Sequence, residues 1–329
     1  MAEWRRLGAD DVRAILRDFG VDGYRAHQPI PVGTINTNVR VETESGALFL
    51  RINEGKSLDD VVREAAIVGH VAARGVPTPV PFTSTTGQPF VLWQDQIVSV
   101  FPWIAGRTLD RAALMPAHAA AVGGALAALH RAGADFPDHR PGRYEPEEID
   151  RRLTRVAALG RPELGPAATI LQSELASLAT ERAAALPLGL IHGDLFVDNV
   201  LFAGEALGAL LDFEQASWGR LGYDLAVTVL AFGFGRDDFR ADLTRALIDA
   251  YVQSRPPSAE ERAGFGAELR FAACRFAVTR ITDVHLKQGA GAAPGKRFQR
   301  YLARLASVRA HLDAADGLLS LERPICEPC

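Results

Sequence analysis

The sequence predicts an α+β protein in two lobes: a small antiparallel β-rich N-terminal lobe carrying one helix, and a larger, mainly helical C-terminal lobe. Three observations predict it. Up to about residue 101, short apolar runs separated by turn signals surround a single stretch of helical periodicity. From about residue 106, alanine-rich helical patterns take over. Within that second half, residues 188–213 alone revert to short apolar pieces flanking polar loops. A chain of 329 residues that is 48% hydrophobic can bury a sizeable core in each lobe. The expected division is an N-terminal lobe over 1–101, a connector over 102–106, a C-terminal lobe over 107–315 and a tail over 316–329.

Residues 10–19 read as a short opening helix. Strands are expected near 28–32, 36–43 and 47–52, the last two joined at Thr43-Glu44-Ser45-Gly46 as a hairpin. Leu58, Val61, Val62, Ala65, Ile67 and Val68 then form a helical stripe over 57–74. Ser57 is its N-cap, Asp59 and Asp60 occupy its first turn, and Gly75 ends it. Pro77, Pro79 and Pro81 force an extended path to two more strands, near 88–93 and 96–101. Further helices are expected over 116–131, 146–159, 164–186, 221–233, 238–254, 258–286 and 295–314. No internal repeat or low-complexity linker interrupts them.

A formal net charge of −4 gives no reason to expect nucleic acid or an anionic membrane as partner, and is compatible with a polar small molecule. The lysines are Lys56, Lys287 and Lys296, against a large excess of arginine. Cys274, Cys326 and Cys329 are too few for a disulfide framework. The Cys326–Cys329 pair lies at the extreme end, where a frayed tail is expected rather than a zinc or redox site. The N-terminal segment MAEWRRLGADD has no apolar signal core, and no apolar run is long enough to cross a bilayer, so the expected compartment is the cytoplasm.

The chemistry concentrates in Leu190-Ile191-His192-Gly193-Asp194-Leu195-Phe196-Val197-Asp198-Asn199-Val200-Leu201-Phe202, followed by Leu210-Leu211-Asp212-Phe213-Glu214. Each acidic or amide group sits just beyond a short apolar strand, where side chains can project into a cleft. Phosphoryl transfer needs one carboxylate to orient the attacking hydroxyl and accept its proton. It also needs oxygen ligands that hold Mg²⁺ against the phosphates. Asp194 fits the first role; Asn199 and Asp212 fit the second.

The H-G-D-x-x-x-x-N run followed by a strand ending in Asp resembles the aminoglycoside phosphotransferase/choline kinase superfamily, whose fold is like that of protein kinases. The resemblance implies ATP and Mg²⁺ as cofactors. It implies that Glu64, on the inserted helix, pairs with a cation of the strand 47–52. That cation is Arg51 where most relatives carry lysine; arginine can still grip phosphates as a broader fork, and Lys56 stands nearby in sequence. The segment 98–106 resembles the hinge between lobes, where the Pro102 carbonyl and the Ile104 N–H would meet the adenine. Residues 31–38 would cover the phosphates, with Thr34 and Asn36 as polar contacts in a loop holding a single glycine. Asp224 and His192 are expected to brace the loop of Asp194.

Several segments are similar to the homoserine kinases of this superfamily: Asn36-Thr37-Asn38, the passage Ala73–Pro79, the run His192–Val200, the helix start Tyr223–Val229, and Arg275-Phe276 with Arg280, Asp283 and His285. The departures are Val39 where an aromatic is common, Glu214 after Asp212-Phe213, and Leu-Ala-Phe-Gly-Phe-Gly after Val229. The resemblance implies transfer of phosphate to L-homoserine, a step of threonine biosynthesis. That zwitterion needs a cation for its carboxylate and an anion for its ammonium; Arg275, Arg280, Asp283, Asp198 and Glu214 are the candidates. An aminoglycoside, choline or sugar phosphotransferase is the alternative. Polycationic drugs would want an excess of carboxylates, whereas Glu260, Glu261 and Glu268 are nearly matched by arginines. A non-catalytic kinase-shaped binding protein is a third, opposed by the joint presence of Asp194, Asn199 and Asp212.

Overall fold

The computed structural model describes residues 7–31, 36–182, 185–235, 239–288, 297–313 and 319–322. The chain forms two compact units, one of residues 1–106 and 208–214, the other of residues 107–207 and 215–329. Residues 208–214, which the sequence leaves in the larger lobe, group with the first unit. Thr34 and the Cys326–Cys329 pair lie outside the described residues.

In the first unit, helix α1 (Ala9–Asp18) precedes strands β1 (Tyr24–Pro29), β2 (Thr37–Thr43) and β3 (Gly46–Ile52). Helix α2 (Leu58–Ala72) follows, then β4 (Val91–Trp93) and β5 (Gln96–Pro102). The sheet is antiparallel throughout, in the order β1-β2-β3-β5-β4. Its apolar face is Val39 and Val41 of β2, Leu48, Leu50 and Ile52 of β3, and Val98 and Val100 of β5, packed against Val12, Ile15 and Leu16 of α1. Helix α2 opens on a reciprocal cap: Asp60 N donates to Ser57 Oγ at 3.2 Å, and Ser57 N donates to Asp60 Oδ2 at 3.1 Å.

The first strand lies four residues earlier than the sequence pattern suggests. Its residues, Tyr-Arg-Ala-His-Gln-Pro, show no alternation of apolar and polar groups because β1 is an edge strand that stays largely exposed. Backbone pairing with β2 defines it, so hydrophobic period is a poor guide there.

The second unit holds α3 (Pro116–Ala132), α4 (Pro146–Ala158), α5 (Gly165–Glu181), α6 (Leu221–Phe232), α7 (Ala241–Ser254), α8 (Ala259–Thr279), the short α9 (Leu286–Gln288) and α10 (Gln299–Asp313). Strands β6 (Leu188–Ile191) and β9 (Ser217–Arg220) pair antiparallel, and β7 (Val200–Ala203) forms a hairpin with β8 (Ala206–Leu210). Helix α6 is apolar on nearly every side because it is buried on nearly every side. Between α8 and α9 the backbone widens into a π-helical turn, Arg280–His285. The sequence reads 258–286 as one uninterrupted helix; a π turn changes the hydrogen-bond ring without changing composition, so periodicity does not register it. No helix among the described residues is long and apolar enough to cross a membrane.

The α3–α7 contact depends on Gly123. A Cβ there would lie 2.1 Å from the Leu247 carbonyl oxygen. Backbone cannot yield as a side-chain tip can, so Gly123→Ala is expected to cost about 2 kcal/mol or more, read as a lower urea midpoint.

Candidate functional site

Residues 192–199 carry the predicted chemistry, and a buried carboxylate fixes their path. Asp224, fully buried in α6, accepts from His192 N at 2.7 Å and from Gly193 N at 2.8 Å. Gly193 adopts φ +75°, and a Cβ there would meet Gln215 O at 2.8 Å, so both conformation and space call for glycine. The side chain of Asn199 ties the loop to itself, Nδ2 donating to Asp194 O at 2.8 Å. That bond engages the amide nitrogen and leaves Oδ1 as an acceptor.

Behind Asp224 runs a chain of hydrogen bonds whose direction can be deduced. Arg255 Nη1, a donor only, reaches Tyr251 Oη at 3.1 Å. Tyr251 therefore gives its own proton to His130 Nδ1, 2.8 Å away. His130 Nδ1 is thus an acceptor, and Nε2 carries the proton that it donates to Asp224 Oδ2 at 3.0 Å. Burial alone would raise the Asp224 carboxyl; the hydrogen bond from His130 and the bond from the His192 backbone outweigh it and hold the group below its ordinary value. His192 contributes separately, its Nδ1 accepting from Asp194 N at 3.4 Å.

Asp194 keeps about a third of its side chain exposed. Burial of its surroundings raises its carboxyl above the ordinary value, against the lowering charges of Arg275 and Arg280. Arg275 Nη1 stands 3.9 Å from Asp194 Oδ1. Its buried guanidinium is held between the rings of Tyr144, 4.1 Å from the centroid, and Phe276, at 3.8 Å. Arg275 thereby stands within ion-pair range of the Asp194 carboxylate.

The other late-helix candidates separate. The sequence places Arg280 and Asp283 on one α-helical face; the π turn spreads them apart. Asp283 instead takes Arg152 Nη1 of α4 on both oxygens, at 3.0 Å each. Arg152 also binds Glu148 and lies 5.3 Å from the Tyr144 ring centroid. Sequence reasoning missed Arg152, Tyr144, His130 and Tyr251. The only local signal was the i,i+4 pair Glu148–Arg152, which is ordinary on a helix surface. A cavity of about 250 Å³ adjoins this loop, lined by Tyr144, Glu145, Arg182, Gly193, Gln215 and Tyr223 among others. Burial pushes the Tyr223 phenol up to about 12.

In the first unit, Glu64 of α2 joins two cations. Arg51 Nη1 lies 3.2 Å from Glu64 Oε1, and Lys56 Nζ 2.7 Å from Oε2. Burial pushes the Glu64 carboxyl up, but the two cations outweigh it and hold it below its ordinary value. Lys56 Nζ also reaches Glu214 Oε2 at 3.3 Å, so Glu214 belongs with this cluster. Arg51 lies 5.7 Å from the Phe49 ring centroid and 5.4 Å from that of Phe101. Asp212 adopts φ +62°, a left-handed conformation that Asp tolerates better than most residues. Its Oδ1 is buried without a hydrogen-bond partner among the described residues, and burial raises its carboxyl against the charge of Arg51. Asn36 Oδ1 accepts from Glu54 N at 3.1 Å, tying the end of the β1–β2 loop to the end of β3. Pro102 pairs with Leu48 at the close of β5, and the Ile104 N–H has no hydrogen bond among the described residues.

A braced H-G-D-x-x-x-x-N loop in a helical unit, and a strand cation paired to a helix glutamate in a five-stranded antiparallel unit, define a protein-kinase-like phosphotransferase. The model of the phosphotransferase enzyme family matches residues 26–273, and the chain belongs to that family. It is a small-molecule kinase by class. Among curated relatives it is similar to homoserine kinases. That of Mesorhizobium japonicum is 33% identical, over 96% of this chain and 99% of the relative; that of Rhodopseudomonas palustris is 31% identical, over 97% and 100%. Solved structures share the fold at lower identity. A choline/ethanolamine kinase family protein from Mesorhizobium loti superposes with a TM-score of 0.67 at 22% identity, covering 95% of this chain and 97% of its own. A spectinomycin phosphotransferase gives 0.70 at 13%, covering 94% and 99%.

Asp224→Asn would turn an amide N–H₂ toward backbone donors or toward His130. It is expected to cost roughly 2–4 kcal/mol, read by urea unfolding, because a buried charged acceptor is lost from three donors at once.

Proposed function

We propose that the chain transfers the γ-phosphoryl group of ATP, with Mg²⁺, to the side-chain hydroxyl of L-homoserine, giving O-phospho-L-homoserine and ADP. The observation that carries this reading is the braced loop presenting Asp194 beside Arg275, in a chain similar along nearly its whole length to homoserine kinases. Asp194 accepts the proton of the acceptor hydroxyl as the new oxygen–phosphorus bond forms and the bond to ADP breaks. A carboxyl whose proton affinity is raised by its surroundings is a better proton acceptor than a free Asp. Arg275 opposes that rise and keeps the carboxylate aimed. Arg280, whose charge Asp194 also feels, and Asp198 remain beside the acceptor. Asp283 is held by Arg152 and shapes the wall rather than the contact.

On the nucleotide side, the Pro102 carbonyl and Ile104 N–H meet the adenine, and Arg51 offers its fork to the phosphates while Glu64 orients it. Lys56, bound by Glu64 and Glu214, acts as second support. Thr34 and Asn36 belong to the phosphate-covering segment. A spectinomycin phosphotransferase of this fold is known with ADP bound, in keeping with nucleotide use.

The residues present fit a magnesium ion. Among the described residues Asp212 Oδ1 is a buried oxygen lacking a hydrogen-bond donor, and the hydrogen bond of the Asn199 side chain engages the nitrogen of its amide, not Oδ1. In the first unit, three carboxylates (Glu64, Glu214, Asp212) face two cations, which leaves room for added positive charge. Asn199 and Asp212 would hold the ion, with the phosphates and water completing a shell of oxygens. When bound, it neutralises phosphate charge.

The first test is nucleotide consumption with L-homoserine, choline, methylthioribose and kanamycin as acceptors. Turnover is expected with homoserine, and preference for any of the others would overturn the substrate assignment. Asp194→Asn is expected to lower kcat at least about 10³-fold with little change in KM; full activity in that variant would end the mechanism. Arg275→Met removes a charge that lowers the Asp194 pKa. The acid limb of the kcat profile should therefore move to higher pH, measurable as activity lost first on the acidic side.

A further inference from the structure

The cavity of about 250 Å³ beside the Asp194 loop is lined wholly by residues of the second unit. Gly193 forms part of its wall, so the lining ends one residue short of Asp194. Tyr144 ties it to the same carboxylate from another side. Its ring lines the cavity and lies 4.1 Å from the Arg275 guanidinium, which stands 3.9 Å from Asp194 Oδ1.

Two cations share one anion at this wall. Arg182 donates to both oxygens of the buried Glu268, Nε to Oε1 at 3.0 Å and Nη2 to Oε2 at 2.7 Å. Arg220 Nη1 donates to the same Oε1 at 3.0 Å, and its Nη2 to Arg182 O at 2.6 Å. Among the described residues neither arginine pairs with another carboxylate, so the wall keeps one positive charge in excess. Glu145, also on the lining, makes no ion pair among the described residues. The exposed Arg143 and Glu147 carry opposite charges and cancel. The lining is therefore neutral in sum and polarised, with an unanswered cation and an unanswered anion on one concave surface. Such a surface matches a ligand that carries both charges. Two hydroxyls complete it. Ser217, which is buried, and Tyr223 both line the cavity, and neither side chain has a hydrogen-bond partner among the described residues.

We propose that this cavity seats the amino-acid head of the acceptor, with its carboxylate on Arg220 and its ammonium on Glu145. The inference rests on the homoserine reading and adds where the charged end of the molecule lies. An α-amino acid carries both charges on one carbon, so a single head group answers both. Arg220 is the carboxylate contact because a quarter of its side chain stays exposed, whereas Arg182 is 9% exposed, bidentate on Glu268 and 3.7 Å from the Phe271 ring centroid. Ser217 and Tyr223 donate to the carboxylate oxygens. The side chain of the acceptor runs past Gly193, and its hydroxyl is left for Asp194.

The test uses three acceptors: L-homoserine, 3-amino-1-propanol, which lacks the carboxylate, and 4-hydroxybutyrate, which lacks the ammonium. Arg220→Met leaves both Glu268 oxygens on Arg182. It should lower kcat/KM for homoserine and hydroxybutyrate about 10- to 100-fold, mainly through KM, and change aminopropanol less than about 3-fold. Glu145→Gln should show the converse pattern, with homoserine and aminopropanol falling and hydroxybutyrate spared. Arg220→Lys should restore part of the loss in Arg220→Met. Where an analogue turns over too slowly to read, its Ki against homoserine takes the place of its kcat/KM. Equal losses on all three acceptors would make Arg220 and Glu145 structural, and unchanged ratios would remove them from recognition. Either result overturns the subsite while leaving the homoserine reading standing. A wild-type enzyme inert toward homoserine would instead overturn that reading and this inference with it.

Discussion

One buried carboxylate organises the helical unit. Asp224 accepts two consecutive backbone N–H groups of a loop that has no regular secondary structure at that point, and a third proton from His130. A loop held only by side chains at its surface would sample many paths. A loop whose amides terminate on a buried anion has one, since abandoning it leaves charge without donors in a dry interior. The position of Asp194 is therefore inherited from α6, and α6 is apolar on its remaining faces so that the anion stays dry.

The same logic extends outward by one hydrogen bond at a time. Arg255 can only donate, so Tyr251 must donate onward, so His130 must donate from Nε2. The tautomer of a buried histidine is thereby fixed by an arginine two residues removed from it in the chain of bonds. The first unit solves an analogous problem differently: Glu64 has a cation on each oxygen, so either one can lapse without leaving the carboxylate bare.

Much of this was legible in the sequence. Ser57 with Asp60, the stripe of α2, and the alternation in β2 and β3 are local signals, and local physics decides those elements. The H-G-D-x-x-x-x-N run was legible because its residues are close in sequence. Three things were not. The edge strand β1 carries no hydrophobic period. The π turn at Arg280–His285 has no compositional mark, so Asp283 was expected beside Arg280 and is found on Arg152. The partners of Asp224 and Glu214 come from remote segments, His130 and Lys56, and long-range pairing leaves no trace in spacing.

The left-handed backbone at Asp212 has a consequence for which substitutions this position can explore. Conformation alone admits glycine, asparagine and aspartate with little strain. The role proposed for it, a charged ligand to a hard cation, admits aspartate and glutamate. The two filters act independently and overlap in a single residue type. Every single substitution therefore meets a penalty in backbone, in charge or in both, which makes Asp212 a position where saturation mutagenesis should find no silent neighbour.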